Sequence, residues 1–479
     1  MRLYQLLEGL DVKAKPEDCE ITGITADSRR IEPGMAFVCI KGGRFDGHDH
    51  AKSALQAGAA AVVCQHSLGL EREVLCTDTR LAYALLCRNW FGNPGTKLRL
   101  IGVTGTNGKT TVTCMIKHLL ESAGKRVGLI GTIHTEIDDI VIPAKYTTPD
   151  PLALQGILAR MVRAGCEYAV MECSSHALDQ HRLAGLHFDT AVFTNLTQDH
   201  LDYHGTMENY FAAKRKLFSM CDQAVINLDD SYGKLLAREL TIPCRTFSLS
   251  ADQADYTAKD IQMEAGGSRF LLVGKGELSR VSLPIPGEFS ISNAMAAAVS
   301  CMCQGITMEQ AACGLSDCPG VPGRAETLPT HTDYTVIRDY AHSPDGLEKI
   351  LQAMRPFAKG RVIILFGPAG NRDRTKRELM GEITARLADF VILTSDNPRD
   401  EDEAQIINDT LPGIRKHPGT PCQVIPDRFE AIRWALAHAQ KDDILILAGK
   451  GHEDYQVLRG ETRCFDEKKI VLSLLGEKE

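Results

Sequence analysis

Apolar runs too continuous for strands with one wet face dominate the middle of the chain. LRLIGV, RVGLIG, EYAVME and FDTAVFTN are separated by stretches of helical length. Strands of this kind belong to parallel sheets covered by helices on both faces. The scheme recurs later as RVIILFG, DFVILTS and DDILILAG. Polar clusters follow nearly every such strand, at 172–176, 195–202, 367–372, 396–399 and 449–453. Ligands of open α/β sheets bind beyond the carboxyl ends of the strands. Two such edges, one per sheet, are expected to face each other across a cleft.

Gly/Pro punctuation divides this pattern. FGNPGTK precedes the first apolar strand of the middle block, and DCPGVPGRAE closes that block. A chain of 479 residues is long enough for about three domains. The expected boundaries are 1–95, 96–325 and 326–479. The expected fold class is α/β throughout, with a small N-terminal domain, a central P-loop sheet and a C-terminal Rossmann-like domain.

The strand LRLIGV runs into TGTNGKTT, which opens a helix. Backbone N–H groups around Gly105, Thr106, Asn107 and Gly108 can line an anion nest at the positive end of that helix. Lys109 can reach β/γ-phosphates, and Thr110 and Thr111 follow it with hydroxyls, Thr110 placed for Mg²⁺. Val103 occupies the first glycine position of G-x-x-x-x-G-K-[ST], so a strict pattern search passes over the loop. ATP or a close relative is the expected ligand.

Composition changes the picture only by exclusion. A net charge of −8 argues against a general nucleic-acid binder. Anionic substrates must therefore be met by local cation clusters. No run has the length of a membrane span, and the first twenty residues lack a signal-peptide core. Sixteen cysteines without a C-x-x-C pair read as reduced thiols of a cytoplasmic protein, with no zinc site.

Metal chemistry is expected at two strand ends. Glu172 in AVMECSSH can hold Mg²⁺ directly or through water. TNLTQDHLDYHG supplies Asp199, His200, Asp202 and His204, of which His200 is the preferred ligand ahead of Asp199 and His204. In YFAAKRKLF, Lys214 has Tyr210 and Phe211 one turn before it and Leu217 and Phe218 one turn after. A lysine in such a stripe has a depressed pKa and, as a free amine, can add CO₂ to become an anionic carbamate. Spacing alone leaves open a lysine that merely snorkels. Asn293, Arg324, and the trio Asp339, Tyr340 and His342 would each read as an ordinary cap, linker or turn residue when taken singly.

With GTNGKTT, ECSSHAL, TNLTQDHLDYHG, FAAKRKLF, SNAMAAA, PGRAE and DYAHSPD in this order, the chain resembles the Mur ligases along essentially its whole length. These are ATP-dependent enzymes that build the peptide stem of the bacterial cell-wall precursor. The stretch around TADSRRIEPGMAFVCIKGGRFDGHDH resembles the UDP-binding domain of the member that adds the third residue. The resemblance implies that Ser28 contacts the UDP-sugar. It implies that Thr147, Thr148, Ser174, Gln180 and Arg182 bind the UDP-muramoyl-dipeptide. Residues 105–111, Asn293, Arg324, Asp339 and His342 would serve ATP. Thr110, Glu172, His200 and a carbamylated Lys214 would hold Mg²⁺, with Lys109, Lys214, Glu172 and His200 forming the catalytic set.

TSDNPRDED adds Asp396, Asn397, Pro398 and Arg399, which resemble the recognition motif for meso-diaminopimelate. An arginine fork pairs with that molecule's far carboxylate, whereas a lysine substrate presents an ammonium there. On residues alone, DNPR is equally a proline turn with an exposed arginine. Arg372, Gly449 and Glu453 match the rest of that pocket. The implied reaction joins diaminopimelate to UDP-N-acetylmuramoyl-L-Ala-D-Glu through an acyl phosphate, in a monomer with small-molecule partners only. Three alternatives stand beside it: the same reaction with L-lysine, a folylpolyglutamate-type ligase, and a P-loop switch or motor ATPase. The second lacks the N-terminal block around Ser28, Gly47 and His48.

Overall fold

A computed structural model describes residues 1–43, 45–264 and 267–477. Three main sheets follow one another along the chain. The first orders its strands Val12–Ala14, Glu73–Cys76, Ala61–Cys64, Met35–Val38 and Gly23–Thr25, parallel except for the first.

The described residues of the middle block form an eleven-stranded sheet. Its parallel centre contains the predicted strands as Arg99–Thr104, Val127–Ile130, Tyr168–Glu172 and Phe188–Phe193. Arg99–Thr104 lies between Phe188–Phe193 and Tyr168–Glu172. The loop after it therefore opens beside both polar clusters singled out in the sequence. Antiparallel strands extend the sheet at each edge: His134–Ile137 and Ile140–Pro143 on one side, Gly267–Gly274 and Glu277–Leu283 on the other. These were not expected from the apolar runs. Along Gly267–Gly274 buried side chains alternate with more exposed ones, so that strand carries half the apolar signal of a central strand.

Apolar interiors cover both faces of this sheet. On one, Val112, Met115 and Ile116 of helix Lys109–Ser122 pack with the small residues Ala294, Ala297 and Ala298 of helix Glu288–Cys303. On the other lie Leu154, Leu158, Phe188, Tyr210 and Leu217. The third sheet runs Glu326–Thr327, Thr335–Asp339, Ile444–Ala448, Val362–Phe366, Phe390–Leu393, Cys422–Val424, antiparallel only at the first pair. It too has an interior on each face. All sixteen cysteines are free, most of them buried. No helix among the described residues is long and apolar enough to cross a membrane.

Candidate active site

The glycine-rich loop is held open by the strand end beside it. Thr106 N–H donates to the Asn195 carbonyl at 2.9 Å, and Asn107 N–H to Asn195 Oδ1 at 2.9 Å. Gly108 has φ +87°, and a Cβ there would lie 2.4 Å from Asn293 Oδ1. Glycine is thus required by conformation and by space. Lys109 Nζ folds back onto the carbonyls of Gly105 (3.0 Å) and Thr106 (2.8 Å). Thr111 lines the adjoining cavity.

Lys214 sits where its helical spacing places it. Tyr210, Phe211, Leu217 and Phe218 are buried with it, and Lys216 turns away to pair with Asp179. The Lys214 side chain is 1% exposed and donates to the Gly105 carbonyl at 2.6 Å. Burial, with the Lys109 charge nearby, holds its pKa well below the ordinary lysine value.

Glu172 is fully buried and accepts hydrogen bonds only from neutral donors. These are Thr110 Oγ1 (3.1 Å), Thr132 N–H (2.6 Å) and Thr132 Oγ1 (2.9 Å). Among the described residues no cationic side chain lies within ion-pair distance of it. A buried carboxylate without a counter-ion beside a phosphate loop suits a divalent cation. No hydrogen bond, ion pair or ring contact joins Glu172 to His200, and no cluster of three His, Cys, Asp or Glu forms among the described residues. His200 pairs with Asp199 at 3.5 Å, and burial pushes its pKa down to about 3. Burial opposes ionisation of Asp199, yet the His200 and Lys376 charges keep its pKa below the usual range.

The residues assigned to the muramoyl-dipeptide adjoin Glu172. Thr148 Oγ1 donates to the Glu172 carbonyl (2.7 Å), Ser174 N–H donates to Thr148 Oγ1 (3.0 Å), and the Thr132 and Thr147 hydroxyl oxygens lie 3.2 Å apart. Arg182 joins Thr148 O (3.0 Å) to Gln180 Oε1 (2.9 Å). Ser28 lies outside this network, in the short 3₁₀ turn Ser28–Arg30 of the first block.

A cavity of about 470 Å³ opens from the loop, lined by Asn107, Gly108, Asn293, Arg324, Asp339 and Tyr340 among others. It lies between the second and third blocks. Two polar contacts cross there, Asn107 Nδ2 to Asp345 (2.6 Å) and Lys376 to Asp199 (3.6 Å), and Arg324 Nη2, at the end of the second block, donates to Thr110 Oγ1 (3.1 Å). Arg324 Nε is buried without a partner among the described residues, an open donor beside the glycine-rich loop. His342 is held by the Tyr340 carbonyl at 2.7 Å, behind the cavity wall.

The third block gathers the remaining expected residues. Arg399 stands at φ +57° and donates to the Gly370 carbonyl at 2.6 Å. Arg372 donates to the Asn371 carbonyl, and its charge depresses the Arg399 pKa behind the larger effect of burial. Neither guanidinium has a carboxylate partner within ion-pair distance among the described residues. Beside them Asn397 Nδ2 donates to Glu453 Oε2 at 2.8 Å, and fully buried Lys450 lies 3.3 Å from Glu453 and 3.5 Å from Asp396. Pro398 packs its carbonyl against Gly370, and Gly449 faces Asp396 Oδ2. Beneath this pocket Arg428 and Glu467, both fully buried, pair at 2.8 Å. The Arg428 guanidinium also donates to the Ala448 carbonyl (2.8 Å) and reaches Ser395 O (3.5 Å), the last residues before the two pocket loops. Thr132, Lys376, Lys450 and Arg428 were not singled out in the sequence. Only Lys450, inside AGKGHED, stood next to residues that were.

The Mur ligase middle domain matches residues 103–301, the Mur ligase glutamate ligase domain residues 323–451, and the Mur ligase family catalytic domain residues 20–79. A protein of Caldanaerobacter subterraneus subsp. tengcongensis is 44% identical over 485 residues, covering all of both chains. The chain belongs to the Mur ligase family. That Mur ligase is named UDP-N-acetylmuramoyl-L-alanyl-D-glutamate--2,6-diaminopimelate ligase, as is one of Syntrophomonas wolfei subsp. wolfei at 43% identity over 488 residues and the full length of both chains. A solved Mur ligase structure of the same name superposes with a TM-score of 0.69 at 35% identity, covering 95% of each chain. A Mycobacterium tuberculosis folylpolyglutamate synthase shares the fold, at a TM-score of 0.64 and 18% identity over 83% of this chain and 96% of its own.

Proposed function

We propose that this chain is the ATP-dependent ligase that adds meso-2,6-diaminopimelate to UDP-N-acetylmuramoyl-L-Ala-D-Glu during cytoplasmic synthesis of the peptidoglycan precursor. The observation that carries the reading is the pair Arg372 and Arg399, which among the described residues have no ion-pair partner and stand near Asp396 and Glu453. That arrangement complements an amino acid whose far end bears both a carboxylate and an ammonium. The full-length relatives named for this reaction support it.

In this reading residues 1–95 take the UDP-sugar through Ser28, 96–325 hold ATP and 326–479 present the amine. The D-Glu carboxylate, steered by Arg182 and the Thr147, Thr148, Ser174 and Gln180 network, attacks the γ-phosphorus and gives an acyl phosphate and ADP. The diaminopimelate amine then attacks the acyl carbon, loses a proton, and phosphate leaves. The first step brings two anions together, so its barrier is largely electrostatic. Lys109 exchanges its own loop carbonyls for phosphate oxygens, and Arg324 turns its free Nε toward them. Thr110, Glu172, His200 and Lys214 as a carbamate would hold Mg²⁺, whose positive charge would offset the repulsion between the two anions. Burial shifts Lys214 toward the neutral amine, the form that captures CO₂. Contact between the second and third blocks keeps water from the acyl phosphate. The enzyme acts as a monomer.

The test is a product assay with ATP, Mg²⁺, the UDP-muramoyl-dipeptide and either diaminopimelate or lysine. The expected result is the tripeptide mass with diaminopimelate only. Lysine incorporation, or ATP hydrolysis indifferent to any amine, would overturn the assignment.

A further inference from the structure

One side chain in the cleft is not used by the reading above. Tyr340 lines the nucleotide cavity between Asp339 and His342. The Arg324 guanidinium lies over its ring, 4.5 Å from the centroid. Its hydroxyl donates to Glu453 Oε1 at 3.2 Å. His452 packs against the ring at 5.1 Å, and His342 holds its carbonyl. A single phenol thus touches the cation of the nucleotide side and the carboxylate of the amine side. Arg324 in turn reaches Thr110 of the phosphate loop, and Glu453 is braced by Asn397 and Lys450.

We propose that Tyr340 is a positioning residue that couples nucleotide binding to amine binding. Seating Arg324 on a nucleotide's phosphates fixes the ring from one face, and the hydroxyl at its far end then fixes Glu453 for the ammonium of the incoming amine. The inference rests on the two pockets assigned above but not on which amine fills the second. Coupling of this kind is reciprocal: whatever factor the nucleotide adds to amine affinity, the amine returns to the nucleotide.

The test measures binding of a non-hydrolysable ATP analogue with and without the amine that the wild type ligates, be it diaminopimelate or lysine. In the wild type the amine tightens the analogue by about 5-fold or more, and the analogue tightens the amine equally. Tyr340→Phe keeps the ring under Arg324 and removes the donor to Glu453. Its analogue affinity alone stays within about twofold of wild type, its amine KM rises about 5- to 10-fold, and the coupling factor falls to about 1. Glu453→Gln, which approaches the link from the other end, loses the coupling as well while binding analogue alone normally. A residue that only supported the fold would lower kcat and the melting midpoint without erasing the coupling. Retention of the wild-type coupling factor in Tyr340→Phe, or its absence from the wild type, overturns the proposal. Use of lysine instead of diaminopimelate would overturn the substrate assignment and leave the coupling experiment intact.

Discussion

Arg428 and Glu467 offer the sharpest energetic test, because both are completely buried and each is the other's only charged partner among the described residues. Arg428→Met removes the 2.8 Å ion pair and the donors to the Ala448 and Ser395 carbonyls. It strands a carboxylate whose Oε2 already lacks a partner. Breaking a buried pair in this way costs about 3–5 kcal/mol, which includes the buried backbone acceptors left unpaired. For a unit of about 150–250 residues, each kcal/mol lowers the melting midpoint by about 2–4 °C. A central estimate of about 4 kcal/mol therefore predicts a drop of about 8–16 °C. The double variant Arg428→Met with Glu467→Leu removes both charges, and well-packed apolar replacements of buried pairs are often neutral. It should recover most of the loss, and because Glu467→Leu alone strands the Arg428 charge at a similar cost, the coupling energy is at least as large as the single-variant loss. Calorimetry of the four proteins closes the cycle. A double variant as unstable as Arg428→Met would refute the idea that the stranded carboxylate is the source of the damage.

Other outcomes follow from the same geometry. Arg399→Ala should lower kcat/KM for diaminopimelate by about 100-fold or more, the worth of a charge-assisted fork of about 3 kcal/mol, without lowering residual lysine use; a competition assay with both amines checks this. Gly108→Ala forces a methyl group into a left-handed residue 2.4 Å from Asn293 Oδ1, and strain of about 1–3 kcal/mol at that point should raise the ATP KM about tenfold while the melting midpoint without nucleotide changes little. Burial pushes His204 down to about 4 from 6.5. Between those values the unfolded chain binds the proton and the folded one does not, so stability is full above pH 6.5 and is lost as pH falls toward 4. His204→Gln should flatten that part of a urea-midpoint profile, and an unchanged slope would exclude His204 as its cause.

What was legible in the sequence was whatever a local period or a short motif could carry. The central strands announced themselves because both faces are buried, which leaves no polar positions to blur the signal. Lys214 was legible because one helix turn on either side supplies its neighbours. The glycine-rich strand–helix turn could be read despite Val103 because Lys109, Thr110 and the glycines at the junction remain in place. Arg428 and Glu467 are 39 positions apart and meet only through the folding of the third sheet. Lys376 reaches Asp199 across the cleft, and no spacing along the chain encodes that approach. Thr132 resembles any strand-end threonine until Glu172 is placed beside it. The edge hairpins escaped because one wet face halves their apolar content.

Each sheet has its own oily interior on either side, and no cluster of the first block is shared with the other two beyond Leu152 packing at its margin. Heating should therefore dismantle the molecule piecemeal rather than in one cooperative event. A ligand wedged where the second and third pieces meet would weld those two together. With ADP in excess, a calorimetric trace should show their peaks merging and moving upward, while the peak of the first piece stays where it was.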